Sequence, residues 1–265
     1  MAVPAALAVV VGATGCRTAS AEGTALARTA PAAGSFAVVE LFTSEGCSSC
    51  PPADAVLRAI DAEGRRDGMP VYALSFHVDY WDGLGWKDPF SAPAFSERQR
   101  AYANASGSDQ VYTPQMIVNG TDAFNGADRG RARHAVDAAL QRPRDVRVAL
   151  RIEPDASGKA GNAGGRARVV HYAIEGLPAG ATLRVAEVDE GRGHAIPSGE
   201  NAGRTLEHAA VVRRFASVAA AREGTVILPA PSNAAEGGAP DAIVAFVQQR
   251  TMEIVAAARV DLPRR

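Results

Sequence analysis

Cysteine is scarce in this chain, with three residues in 265, at positions 16, 47 and 50. That count excludes a disulfide-dense scaffold, and it excludes a four-cysteine structural zinc site. Aromatic residues are also sparse at 6%, two of them Trp. Neither sign of charge is in excess: 28 Lys and Arg face 29 Asp and Glu, for a net charge of -1. With its basic residues scattered, such a chain has no field to draw in nucleic acid, and no nucleic-acid partner is expected. No apolar run reaches the ~20 residues that a bilayer core demands. A P-loop, a dinucleotide fingerprint, H-E-x-x-H and G-x-S-x-G are all missing. Their absence removes the commonest nucleotide-dependent, zinc-protease and serine-hydrolase classes from view.

What is present is ample material for a buried core, since 47% of the residues are hydrophobic. The length exceeds a typical single domain of ~100 to 150 residues, so two domains are expected. The first twelve residues, Met1 to Gly12, are apolar and resemble the h-region of a signal peptide without its positive n-region. Two processing sites compete beyond it. Ala13-Thr14-Gly15-Cys16 reads as a lipobox, which would lipidate Cys16, and Ala19-Ser20-Ala21 fits small-x-small cleavage for soluble release. Either way the protein is expected to be exported, to the periplasm or to a lipid-anchored place at the membrane. Residues 1–34 are read as leader and tether, and Cys47 and Cys50 remain as the cysteines of the mature body.

Those two form Cys47-Ser48-Ser49-Cys50, directly after the apolar run Ala37 to Phe42. Two thiols one turn apart can open and close as a disulfide without moving the backbone. Nearby helix N–H groups favour a thiolate, so redox chemistry is the first hypothesis. Pro51 and Pro52 follow at once, and Pro belongs in a first helical turn. The helix should therefore begin near Pro51, leaving Cys47 in the approach loop.

Around this motif the chain alternates between strand-like and helix-like segments up to about residue 143, which predicts an α/β domain over 35–143. Strands are expected at Ala37 to Phe42 and Val71 to Phe76, and helices at Pro52 to Glu63, Pro93 to Ala105 and Asp128 to Gln141. A hairpin is expected where Gln115 to Val118 runs through Asn119-Gly120 into Ala123-Phe124. From 144 to 265 the pattern changes to alternating runs at Val146 to Ile152, Ala167 to Ile174, Thr182 to Val188, Thr225 to Leu228, Ile243 to Val247 and Ile254 to Val260. These predict an all-β, sandwich-like C-terminal domain. Gly199 to His208 interrupts that spacing and reads as a long loop or a hairpin lip.

The order of elements from Ser35 to Gln141, with C-x-x-C after the first strand and Thr113-Pro114 before the third, resembles the thioredoxin superfamily. More narrowly, Val39 to Asp54 resembles the opening signature of a secreted bacterial family catalogued as domain of unknown function 1223. His77 to Asp82, Trp86 to Phe90, Val111 to Gln115, Gly199-Glu200-Asn201 and Gly203-Arg204 are also similar to that family. The resemblance implies a thioredoxin-like protein of the cell envelope, in which a cis Pro114 faces the dithiol and Thr113 presents its backbone to an incoming peptide or thiol.

The expected chemistry is thiol-disulfide exchange: Cys47, taken as the more exposed thiol, attacks a partner disulfide and Cys50 resolves the product. His77 or Asp79, at the end of the second strand, would move the proton, or else His77 caps the strand while Asp79 and Asp82 hold the turn. Tyr80, Trp81 and Trp86, with Phe90, would wall a groove for substrate or pack the insertion onto the core. No cofactor is required, and the expected partners are protein thiols or disulfides of the envelope. Two rivals remain: a non-catalytic binding module with a static disulfide, and a Cu(I)-binding chaperone-like protein adding His77 or Met116 to the thiolate pair. Arg204 and His208 are expected to be structural.

Overall fold

Strand β1 (Ala37–Thr43) is buried along its whole length, because side chains on both of its faces meet packed neighbours. Val39 and Leu41 point to one side with Ala53 and Leu57; Val38 and Phe42 point to the other with Leu74 and Phe76. The computed structural model describes Met1 and residues 31–153, 167–189, 191, 193–229 and 240–263. Cys16 and both candidate processing sites lie outside the described residues.

Helix α1 (Pro51–Arg66) crosses from β1 to β2 (Val71–His77), which lies parallel to β1 with Ala37 opposite Val71 and Thr43 opposite His77. Pro51 and Pro52 occupy the first turn, where the missing N–H costs no hydrogen bond. As expected, the helix starts there, and Cys50 is its N-cap. A 3-10 turn at Asp79–Trp81 leads through a loop to α2 (Pro93–Ala105), which buries Phe95 and Tyr102 on the opposite side of the sheet from α1. Strand β3 (Gln115–Val118) pairs antiparallel with β1 and turns through Asn119 and Gly120 into β4 (Asp122–Asn125). Asn119 and Gly120 both have positive φ in the three-residue turn that separates the paired Val118 and Asp122. Helix α3 (Arg129–Leu140) starts at Asp128, whose carboxylate accepts the Arg131 N–H at 2.9 Å.

The rest of the chain is β-rich: β5 (Arg147–Ile152), β6 (Arg168–Glu175), β7 (Thr182–Asp189), β8 (His194–Ala195), β9 (Thr205–Leu206), β10 (Val211–Ala219), β11 (Glu223–Leu228), β12 (Ala242–Gln248) and β13 (Ile254–Asp261). Eight strands share one mixed sheet in the order β13-β12-β7-β10-β2-β1-β3-β4. A second sheet, β11-β6-β5, packs Val170, Tyr172 and Val226 against Leu183, Ile243 and Val255 of the first. The anticipated class is therefore present: a β-α-β half with a parallel pair, then an antiparallel β-rich half with sandwich-like packing. The anticipated boundary at residue 143 falls between α3 and β5, yet the two halves share a sheet through β10, which runs parallel to β2 at Val211 and Ser75. Strand β10 has no clear sequence signature because Arg213-Arg214 breaks its alternation. The pairing with β7 is irregular at that point, between Val212 and Arg214, and Arg214 is nonetheless buried, 3.1 Å from Glu187. Among the described residues, no helix is long and apolar enough to cross a membrane.

Candidate functional site

The parallel strands β1 and β2 end at Thr43 and His77, and beyond the carboxyl ends of such strands an open α/β sheet leaves room for a site. Here the chain turns through Gly46 into Cys47 and Cys50, which are joined as a disulfide with their Cα atoms 5.5 Å apart. The Thr113–Pro114 bond is cis. Thr113 donates its hydroxyl to Cys47 Sγ at 3.4 Å and accepts the indole N–H of Trp81 at 2.8 Å. Cys47 and the cis Thr113–Pro114 bond are thus brought together, Thr113 lying 66 residues further along the sequence.

The exposure expected of Cys47 is not found. Both cysteines are 0% exposed, although Ser48 and Ser49 between them are exposed. The cover comes partly from Trp81 and Thr113 and partly from the C-terminal half. Asn201, fully buried, donates to the carbonyls of Glu45 at 2.8 Å and Cys47 at 3.0 Å. Glu200 accepts the Ser48 N–H at 3.0 Å, and its carboxyl is held below the usual range by hydrogen bonds from the Ser48 side chain and backbone.

Behind the disulfide lies a buried set of acids and imidazoles. Glu45, two residues before Cys47, accepts from Trp86 Nε1 at 2.9 Å, from His194 Nδ1 at 2.9 Å and from His208 Nε2 at 3.1 Å. His77 Nδ1 donates to Asp88 at 2.7 Å, and the same carboxylate oxygen accepts the Glu45 N–H at 2.8 Å. Asp54, one turn into α1 from Cys50, accepts from Thr43 at 3.0 Å and lies 4.0 Å from His208 Nδ1. The rings of His77 and His208 are 4.8 Å apart and nearly perpendicular. His77 Nε2 and His208 Nδ1 are buried and have no hydrogen-bond partner among the described residues.

Burial alone disfavours the His77 imidazolium, yet the charge and hydrogen bond of Asp88, with Glu45 and Asp54 behind it, outweigh this and push it up to about 9. Asp88 is correspondingly held low: burial would raise it, but His77 and two backbone N–H groups prevail. Burial raises Asp54 against the opposing pull of His208, His77 and Thr43. Within one buried set Asp54 is thus held above the ordinary carboxylate range and Asp88 below it.

Of the other anticipated residues, Asp79 is engaged elsewhere. Its N–H donates to Ser96 Oγ at 3.1 Å, and its carboxylate accepts the Ser96 hydroxyl, so it ties the 3-10 turn to α2. Tyr80 donates to Gln99 at 3.1 Å and packs on the main core, where burial pushes its phenol up to about 12. Met116 packs among Leu41, Ala53 and Val118. Among the described residues, no group of three or more His, Cys, Asp or Glu side chains is arranged to hold a metal ion. Glu45, Asp54, Asp88, His194 and Asn201 escaped the sequence reading as site residues. All but His194 lie within the stretches quoted for the family resemblance, and that was the available signal.

Fold and site together define a mixed α/β protein with a C-x-x-C disulfide at the carboxyl edge of its parallel strands, extended by an antiparallel half that reaches back over the disulfide. The chain belongs to the family described as "Protein of unknown function (DUF1223)", whose model matches residues 38–248. Among solved structures it is similar to AGR_C_4864 from Agrobacterium tumefaciens, with 28% identity and a TM-score of 0.61 over 86% of this chain and 96% of that one. It also resembles HBP35 of Porphyromonas gingivalis, with 14% identity and a TM-score of 0.55 over 88% of this chain and 76% of the other, a likeness of fold alone. The curated proteins contain no match.

Proposed function

We propose that the protein is a thiol-disulfide oxidoreductase of the cell envelope, built on a thioredoxin-like half, with Cys47 and Cys50 as the exchanging pair. The observation that carries this reading is the Cys47–Cys50 disulfide held against Thr113 of the cis Thr113–Pro114 bond. Such a pair works in two steps. The Cys47 thiolate attacks a substrate disulfide, forming a mixed disulfide and expelling one substrate thiolate. The Cys50 thiolate then attacks Cys47 Sγ and releases the second. Two electrons pass from the protein dithiol to the substrate, and the two protons given up by the cysteines end on the substrate thiols. Run backwards, the same steps oxidise a substrate dithiol. His77 and Asp54, both buried and holding protons more firmly than exposed side chains of their type, are the carriers in this scheme, and Asp79, tied to Ser96, is not.

Replacing Cys47 with Ser is expected to abolish turnover of a small disulfide substrate. Replacing Cys50 with Ser is expected to accumulate mixed disulfides, read by mass spectrometry of the intact protein. Wild-type turnover in both variants would remove the mechanism.

The burial of both sulfurs favours a second reading, a static disulfide in a non-catalytic envelope module whose half-buried Trp81 and Trp86 meet a partner. A disulfide closing so short a loop constrains the unfolded chain little, so stability alone gives weak reason for it. Alkylation in mild reductant separates the two readings: a static bond yields no modified cysteine, whereas an exchanging pair yields one fast-reacting thiol.

A further inference from the structure

The two sulfurs are sealed while the residues between them face solvent, so their cover is local. Besides the hydroxyls of Thr113 and Ser49, 3.4 and 3.3 Å from Cys47 Sγ, it is supplied by two loops, one from each half of the chain. Trp81 lies over the Cys turn, its Cβ 3.4 Å from where a side chain on Gly46 would begin, and its indole N–H holds the Thr113 hydroxyl that touches Cys47. From the other side, Glu200 grips Ser48, and Asn201 holds the carbonyls of Glu45 and Cys47 while its own oxygen accepts from Arg204 at 2.7 Å.

The two loops are also fastened to each other. Ser198 donates to the Gly85 carbonyl at 2.6 Å. Gly85 and Gly199, with φ of +100° and +78°, cross so closely that a Cβ on Gly199 would come within 2.9 Å of Trp86 Cβ, and one on Gly85 within 3.2 Å of Gly199 Cα. Only glycine permits that crossing. The fastenings at Ser198 and Glu200 are exposed, and loops held by a few solvent-exposed hydrogen bonds open at low cost.

We propose that the loop Trp81–Trp86 and the loop Ser198–Gly203 form a clasp over the Cys47–Cys50 disulfide, and that the clasp must part before a thiol can reach either sulfur. The purpose of the clasp rests on the redox reading above. Its existence does not, because access is measured with a small thiol and no substrate. A reducing thiolate must approach along the S–S axis, and exchange rates depend on that access. The clasp thus slows exchange at the pair by the modest cost of parting the two loops, and a partner that draws them apart removes that delay.

Dithiothreitol reduction tests this. One dithiothreitol thiolate forms a mixed disulfide with one cysteine and expels the other as a thiolate. The second dithiothreitol sulfur then displaces the first cysteine, so two electrons and two protons pass to the protein. The double variant Ser198→Ala with Glu200→Ala removes exposed contacts only, and it is expected to be reduced roughly tenfold faster than wild type, two such hydrogen bonds being worth about that much. Gly199→Ala, by collision with Trp86, is expected to speed reduction by an independent route. Both Trp residues of the chain sit in one loop of the clasp, so acrylamide quenching of their fluorescence is expected to rise in parallel. Rates within twofold of wild type in both variants overturn the proposal, as does a wild-type disulfide reduced as fast as oxidised glutathione. A clasp that passes this test in a protein whose Cys47→Ser variant still turns over a small disulfide would stand without the redox mechanism.

Discussion

His77 is a fully buried imidazole whose proton is held by its surroundings, and that has a consequence for stability. Its value in the folded protein lies near 9 against an ordinary 6.5, so the folded state binds the proton more tightly than the unfolded one. The stabilisation is fully present below pH 6.5 and is lost as pH rises through about 9. The gap corresponds to on the order of 3 kcal/mol. Urea midpoints measured from pH 6 to 9.5 are expected to fall with rising pH in the wild type, and to fall much less in His77→Gln, where Asp88 loses its charged partner. A wild-type midpoint flat across that range would mean that His77 is neutral in the folded protein. His77 itself was legible in the sequence as a chemistry-bearing residue at a strand end. Its partner Asp88 was not, because the loop that carries Asp88 back beneath the strand has no periodic pattern to place it.

Helix α2 was readable from end to end, since Pro93 marks its first turn and its apolar residues sit at helical spacing. What anchors it was not readable. Arg98 donates to Glu40 of β1 at 2.6 Å, to Tyr102 at 2.8 Å and to Gln248 of β12 at 3.2 Å, and Tyr102 donates to the same carboxylate. The guanidinium lies within 5.6 Å of the ring centres of Phe76, Tyr102, Phe215 and Phe246. Glu40 stands in the middle of an apolar run, and no local rule assigns it a cation 58 residues away. Breaking such a buried pair strands a charge, whereas replacing both members by neutral groups does not. Arg98→Ala is therefore expected to cost about 3–5 kcal/mol. The double replacement Glu40→Gln with Arg98→Met is expected to recover most of it in chemical denaturation. Equal losses in the single and double variants would show that the arginine acts through packing against the four rings.

Both halves of the molecule announced themselves in the sequence, one by alternating helices and strands and the other by evenly spaced strands, but their junction did not. The joining strand β10 hides behind Arg213 and Arg214, and the reach of Glu200, Asn201 and His208 into the disulfide region depends on where β10 docks. A strand pairing is a long-range event that spacing along the chain does not encode. The physical result is that the α/β half is incomplete by itself. Without β10, strand β2 becomes an edge whose residues are mostly apolar and, Tyr72 apart, buried in the intact protein. The main core, moreover, loses Val188, Val212, Val244 and Phe246. An apolar unpaired edge is a template for aggregation. A fragment of residues 31–143 is accordingly expected to lack a cooperative thermal transition, to bind hydrophobic dyes and to associate, and its disulfide is expected to be reduced by dithiothreitol much faster than that of the whole chain. A monomeric fragment with a sharp transition and a protected disulfide would show instead that the β-rich half is an appendage to a domain sufficient in itself.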